Sequence, residues 1–115
     1  MRNDKENIII GLTLKFALGI IKFSEQLHEN KSFIIAKQIL KSGTSIGALV
    51  REAQNAESKA DFIHKMKIAA KEADETMYLL ELCKYSKNYP NDDLLIEDLT
   101  SIIKVPSKII GTSKE

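Results

Sequence analysis

The chain has 115 residues, 43% of them apolar, which is enough for one core and one domain. Seventeen basic residues against sixteen acidic ones give a formal net charge of +1, without the basic excess by which a dedicated nucleic-acid binder displaces phosphate counterions. A single cysteine, Cys83, excludes an intrachain disulfide, and a small domain without such staples points to a reducing, cytoplasmic compartment.

The opening MRNDKEN places acidic residues where a signal peptide has a basic run, so a secretory leader is not expected. The apolar stretch that follows, residues 8–21, is 14 residues long and interrupted by Lys15, too short to cross a bilayer. Within it Ile9, Leu12, Phe16, Ile20, Phe23 and Leu27 recur at steps of three or four. A neighbouring line of Ile10, Leu14, Ala17 and Ile21 widens the stripe expected to face a core, with Lys15, Lys22, Gln26 and Glu29 on the wet side. The spacing predicts a first helix over about 5–29.

Residues 29–32 read as a tight connection with Ser32 as N-cap of a second helix over about 32–56. That helix carries Ile35, Ile39, Ile46, Val50 and Ala53 on one face, beside a line of Ala36, Gly43 and Gly47. Each glycine costs about 1 kcal/mol relative to alanine inside a helix. Close approach of a neighbouring helix would offset that cost, and a break near Gly43 is the alternative.

Ser58 and Asp61 form a capping-box-like start to a third helix over about 58–87, with Phe62, Met66, Ala69, Ala73, Met77 and Leu80 on its inner face. Residues 88–91 (Asn-Tyr-Pro-Asn) are a turn, with Asn91 or Asp92 as the next N-cap. The fourth helix, about 91–105, shows Leu95, Leu99, Ile102 and Ile103 and is expected to end or kink at Pro106, with an extension to 110 as the alternative. No long period-2 alternation appears. Four amphipathic helices with short connections predict an all-α fold, an antiparallel up-down-up-down four-helix bundle.

Chemistry-bearing constellations are few. Glu25 with His28 and Asp61 with His64 each place a carboxylate and an imidazole on one helix face, the spacing found in di-iron bundles. One pair ends the first helix and the other begins the third, roughly 25–30 Å apart in an up-down bundle, so they cannot share a metal. Cys83 lies in an apolar run without a histidine at helical spacing and reads as a buried hydrophobe. No phosphate loop is present, and neither an enzyme, a cofactor nor a small-molecule substrate is expected. Ser42 and Ser45 interrupt the apolar face of helix 2, and Glu72 and Glu75 share a face of helix 3. With Glu52 they are candidates for an interhelix or intersubunit polar network that fixes register, the helix 3 carboxylates accepting from helix 2 hydroxyls or from Lys41. Lys37 and Lys41, and Lys67 and Lys71, are pairs one turn apart, either a solvated face or an RNA contact.

Over residues 39–83, an ordered series of short matches resembles the four-helix-bundle proteins encoded in intervening sequences of bacterial 23S ribosomal RNA genes. It runs Leu40, Ser42, Ser45-Ile46-Gly47-Ala48, Glu52-Ala53, Ser58, Asp61-Phe62-Ile63, Lys65, Lys71-Glu72-Ala73, Glu75-Thr76 and Tyr78-Leu79. Departures stand at Leu49, where the family has asparagine, and at Leu79, where it has tryptophan. The resemblance implies an up-down bundle assembled as a ring-shaped homopentamer. A related branch serves reverse transcriptases of diversity-generating retroelements through a basic barrel that binds RNA. Independently, Ile8 and Leu18 on helix 1 and Tyr78, Leu79 and Leu82 on helix 3 are apolar beyond the core stripes, as a subunit interface requires. The sequence thus points to a non-enzymatic, self-associating scaffold or adaptor with a protein or ribonucleoprotein partner and no membrane. A structured-RNA binder that pools lysines from several subunits is the second reading.

Overall fold

Two of the four expected helix starts are fixed by local side-chain caps, and a computed structural model shows how. It describes the backbone of residues 4–114 and the side chains of residues 8–105. The helices are α1 (Asp4–Glu29), α2 (Phe33–Gln54), α3 (Lys59–Tyr85) and α4 (Asp93–Lys114). Ser58 Oγ accepts from the Asp61 amide at 3.0 Å, and Asp61 Oδ2 accepts from the Glu57 amide at 3.1 Å, a reciprocal cap at the start of α3. Asp92, rather than Asn91, caps α4 by accepting from the Leu95 amide at 3.1 Å. Ser32 stands at the N-cap of α2 but does not cap it. Its hydroxyl oxygen accepts instead from Asn30 Nδ2 at 3.0 Å, a correction to its expected role. The same Asn30 amide donates to the Asn88 carbonyl at 3.1 Å, which ties the α1–α2 and α3–α4 connections together at one end.

Two boundaries differ from expectation. α2 stops at Gln54, where Asn55 takes up the C-cap: the Asn55 amide donates to the Glu52 carbonyl at 3.0 Å and the Ala56 amide to the Ala53 carbonyl at 3.1 Å. α4 does not end near 105 but continues through Pro106 to Lys114. Proline removes one donor, and that single loss leaves the rest of the hydrogen-bond ladder intact. The side chains of Ile109 and Ile110 lie outside the described ones.

Consecutive helices pack side by side around a square and α4 closes against α1, while among the described residues the diagonal pairs α1 and α3, and α2 and α4, make no close backbone approach. This is the antiparallel bundle that short connections impose. The core is built from Ile9, Phe16, Ile20, Phe23 and Leu27 of α1, Ile39, Ile46 and Val50 of α2, Met66, Leu80 and Cys83 of α3, and Leu95, Leu99 and Ile102 of α4. Each large apolar side chain so buried contributes about 1.5–3 kcal/mol. The line of Leu14 and Ile21, expected on the core side, instead faces outward, 51% and 41% exposed. The stripe that α1 buries is therefore narrower than its apolar width.

α2 is unbroken at Gly43. A Cβ there would come within 2.8 Å of Ile20, and one at Gly47 within 3.2 Å of Thr13 Oγ1. The glycines admit α1 at close range. α2 is also long and apolar enough to cross a membrane by length and composition. Its buried residues Ala36, Ile39, Ser42, Gly43, Ile46, Val50 and Ala53 lie in the core, however, and its outer side carries Lys37, Lys41 and Arg51.

Candidate interaction surfaces

Buried polar groups at the α2–α3 contact centre on Ser42 and Thr76, which are 1% and 0% exposed. Thr76 Oγ1 lies 2.9 Å from Ser42 Oγ and 2.8 Å from the Glu72 carbonyl oxygen. A hydroxyl carries one proton. Both contacts are satisfied when Thr76 donates to the carbonyl and Ser42 donates to Thr76. The partner of Ser42 is thus a hydroxyl and, through it, a backbone carbonyl, not the Glu72 or Glu75 carboxylate that the sequence pointed to. Thr76 was missed, although it stands in phase with Ala69, Ala73 and Leu80.

The other members of the expected network disperse. Ser45 turns back to donate to the Lys41 carbonyl of its own helix at 2.6 Å. Glu52 sits near the opposite end of α2, ten residues or roughly 15 Å along the helix from Ser42. There it pairs with Lys65 at 3.8 Å, and Lys65 also approaches Asp61 at 4.0 Å. Glu72 and Glu75 line a surface groove of about 470 Å³ between α2 and α3, with Gln38, Lys41, Tyr78 and Leu79. No carboxylate of the described residues reaches ion-pair distance of Lys41.

All four candidate lysines are exposed, and among the described residues none has an ion-pair partner. They spread along the bundle axis. Ser42 stands level with Thr76, so Lys37 is level with residue 81 of α3, fourteen residues or roughly 21 Å from Lys67. Lys41 is level with residue 77, six residues or roughly 9 Å along the axis from Lys71.

Two apolar surfaces emerge that only the packing reveals. Between α1 and α2, at the end tied by Asn30, a groove of about 490 Å³ is lined by Ser24, Glu25, His28, Phe33, Ala36, Lys37 and Leu40. His28 and Phe33 meet edge to face there, with centroids 4.7 Å apart. On the outer side of α3 a smaller furrow of about 290 Å³ runs along Tyr78, Glu81, Leu82, Tyr85 and Ser86. Ile8, Leu18, Tyr78 and Leu82 are exposed as the sequence led one to expect, whereas Leu79 is buried, 6% exposed, and belongs to the core. Leu14, Ile21, Phe33, Ile34 and Leu40 add exposed apolar surface that the helical periodicity of one chain did not separate from core.

The two carboxylate–histidine pairs occupy opposite ends of a bundle 46 Å long. His28 rests on Phe33, and Asp61 is committed to the α3 cap. Cys83 is fully buried among apolar neighbours, and burial pushes its thiol pKa up. Such a thiol is a poor nucleophile.

Comparison with known proteins agrees with the geometry. A sequence model described as 23S rRNA-intervening sequence protein matches residues 5–110. The crystal structure of a protein of unknown function from the S23 ribosomal protein family of Bacteroides thetaiotaomicron is 43% identical, with a TM-score of 0.86. That similarity covers 93% of this chain and 98% of the other. No curated protein matches.

Proposed function

The chain belongs to the 23S rRNA-intervening sequence protein family, and on that premise we propose that it is a non-enzymatic, homo-oligomeric helical scaffold or adaptor. In this reading five copies form a ring in the cytoplasm that engages a protein or ribonucleoprotein partner. The observation that carries it is the apolar surface left outside a complete core. Leu14, Leu18, Ile21, Phe33, Ile34 and Leu40 on the α1–α2 side, and Tyr78, Leu82 and Tyr85 on α3, are all more than a third exposed. Large apolar side chains exposed in this number, beyond what the core takes up, favour an interaction surface. The close fit of the interior, where each buried side-chain polar atom of the described residues has a partner, supports a structural rather than a catalytic role. The number five rests on the resemblance in sequence.

Light scattering on a sizing column, read with the ultraviolet ratio that reports nucleic acid, tests the reading. A mass near five times the 12.9 kDa chain, free of nucleic acid, is the expected result. A single-chain mass overturns it.

A second reading, a structured-RNA binder, is favoured by the exposure of Lys37, Lys41, Lys67 and Lys71 without internal ion pairs. The lysines, spread along each copy, become a basic ring when several copies are combined. Replacing all four lysines by glutamine removes salt-dependent RNA affinity if this reading holds, and leaves a protein adaptor's binding essentially unchanged.

A further inference from the structure

Ser42 and Thr76 set the register between the antiparallel helices α2 and α3. Nine residues back along α2 and nine forward along α3, Phe33 stands level with Tyr85. Five residues give Lys37 level with Glu81, and two give Leu40 level with Tyr78. All six side chains are exposed, and within the chain they do not face one another. Phe33, Lys37 and Leu40 line the groove on the α1 side of α2, whereas Tyr78, Glu81 and Tyr85 line the furrow on the outside of α3. The two sets have mirrored spacings of four and three, and the charge in the middle is basic on one and acidic on the other. Neither Lys37 nor Glu81 has an ion-pair partner among the described residues.

We infer that these surfaces are the two halves of one head-to-tail interface: the α2 groove of one copy receives the α3 furrow of a second copy. Phe33 packs on Tyr85, Leu40 on Tyr78, and Lys37 pairs with Glu81. The inference rests on the homo-oligomeric reading and specifies its contact. The level match decides the geometry. A copy related by rotation about an axis parallel to the helices brings its α3 beside α2 antiparallel and without vertical displacement, which is the condition for a ring to close rather than climb into a filament. Because the two patches differ and lie on different sides of the bundle, a two-fold contact of either patch with itself would leave the other uncovered. It would also set Lys37 against Lys37 or Glu81 against Glu81.

The test uses two surface variants of the full chain. Phe33→Glu with Leu40→Glu disables the groove, and Tyr78→Glu with Tyr85→Glu disables the furrow; unchanged helical circular dichroism establishes that each is folded. Each alone is expected to run as a single 12.9 kDa chain. Mixed in equal amounts they are expected to form a dimer and nothing larger, since one intact groove meets one intact furrow. A separate pair checks the charges: Lys37→Glu weakens assembly and Lys37→Glu with Glu81→Lys restores it. If the wild-type chain assembles while either double variant keeps its mass, or if the mixture stays single-chain, the pairing is overturned and the oligomeric reading survives. If the wild-type chain is itself single, both are overturned.

Discussion

Ser42 Oγ and Thr76 Oγ1 meet at 2.9 Å across the α2–α3 contact, and both hydroxyls are shut off from water. A buried hydroxyl is costly without a partner, so this pair penalises any slip of α2 against α3 and locks their relative height. The level match of the two surface patches follows from that lock.

Thr76→Val removes the acceptor of the Ser42 proton and is expected to destabilise the chain by about 1–2 kcal/mol. Ser42→Ala leaves Thr76 its bond to the Glu72 carbonyl and costs less, within about 1 kcal/mol. The double variant is expected to lose less than the sum of the two. Urea denaturation in a double-mutant cycle reads the coupling, and strict additivity would show that the hydroxyls do not act as a pair.

Two helix glycines are expected to respond in opposite directions. Gly43→Ala drives a methyl to 2.8 Å from Ile20, and overpacking of about 1–3 kcal/mol outweighs the gain in helix propensity. At Gly11 a Cβ meets nothing within 4 Å of its own chain, so Gly11→Ala is expected to stabilise by about 0.5–1 kcal/mol. Thermal melts of the two variants, compared at equal chain concentration, give the signs.

Ser58→Ala deletes the hydroxyl that accepts from the Asp61 amide and is expected to cost about 1 kcal/mol. Ser32→Ala should cost less at the start of α2, because the Ser32 hydroxyl makes no cap bond. Equal losses for the two serines in chemical denaturation would contradict this assignment.

Cys83 is expected to resist maleimide labelling in the native chain and to react at the rate at which the bundle opens. Burial raises its thiol pKa above the ordinary 9.0, so the folded state holds the proton more tightly than the unfolded one. That contribution is complete below the unfolded pKa and is lost as the pH rises through the raised folded value. Stability should therefore fall on the alkaline side, and Cys83→Ala should lose this part of the pH dependence. Rapid labelling under native conditions would place the thiol on the surface.

The helices were legible because their signals are local. Ile9, Phe16, Ile20, Phe23 and Leu27 return every three or four residues, and Ser58 with Asp61 carries its own cap. What misled the reading of α1 was surplus: Leu14 and Ile21 continue the apolar stripe in sequence, but a helix wedged between two neighbours buries only the arc that they cover. The polar network failed for a related reason. Glu72 and Glu75 share a helix face with the groove, and carboxylates are conspicuous, whereas Thr76 donates inconspicuously to its own helix and meets Ser42 only once α2 and α3 are in register.

By itself the sequence determined the all-α class, the number of the helices and most of their limits, the Ser58–Asp61 cap and the burial of Cys83. Each of these depends on interactions within a few turns of chain or on the period of one helix. The tertiary structure decided which hydroxyl Ser42 meets, that Glu52 belongs to a separate ion pair, and that Gly43 and Gly47 admit α1 at close range rather than break α2. It also decided that Phe33, Lys37 and Leu40 stand level with Tyr85, Glu81 and Tyr78. Those relationships join residues more than thirty positions apart in the cases that matter most, and they exist only after interlocking side chains have fixed the height and rotation of each helix against the next.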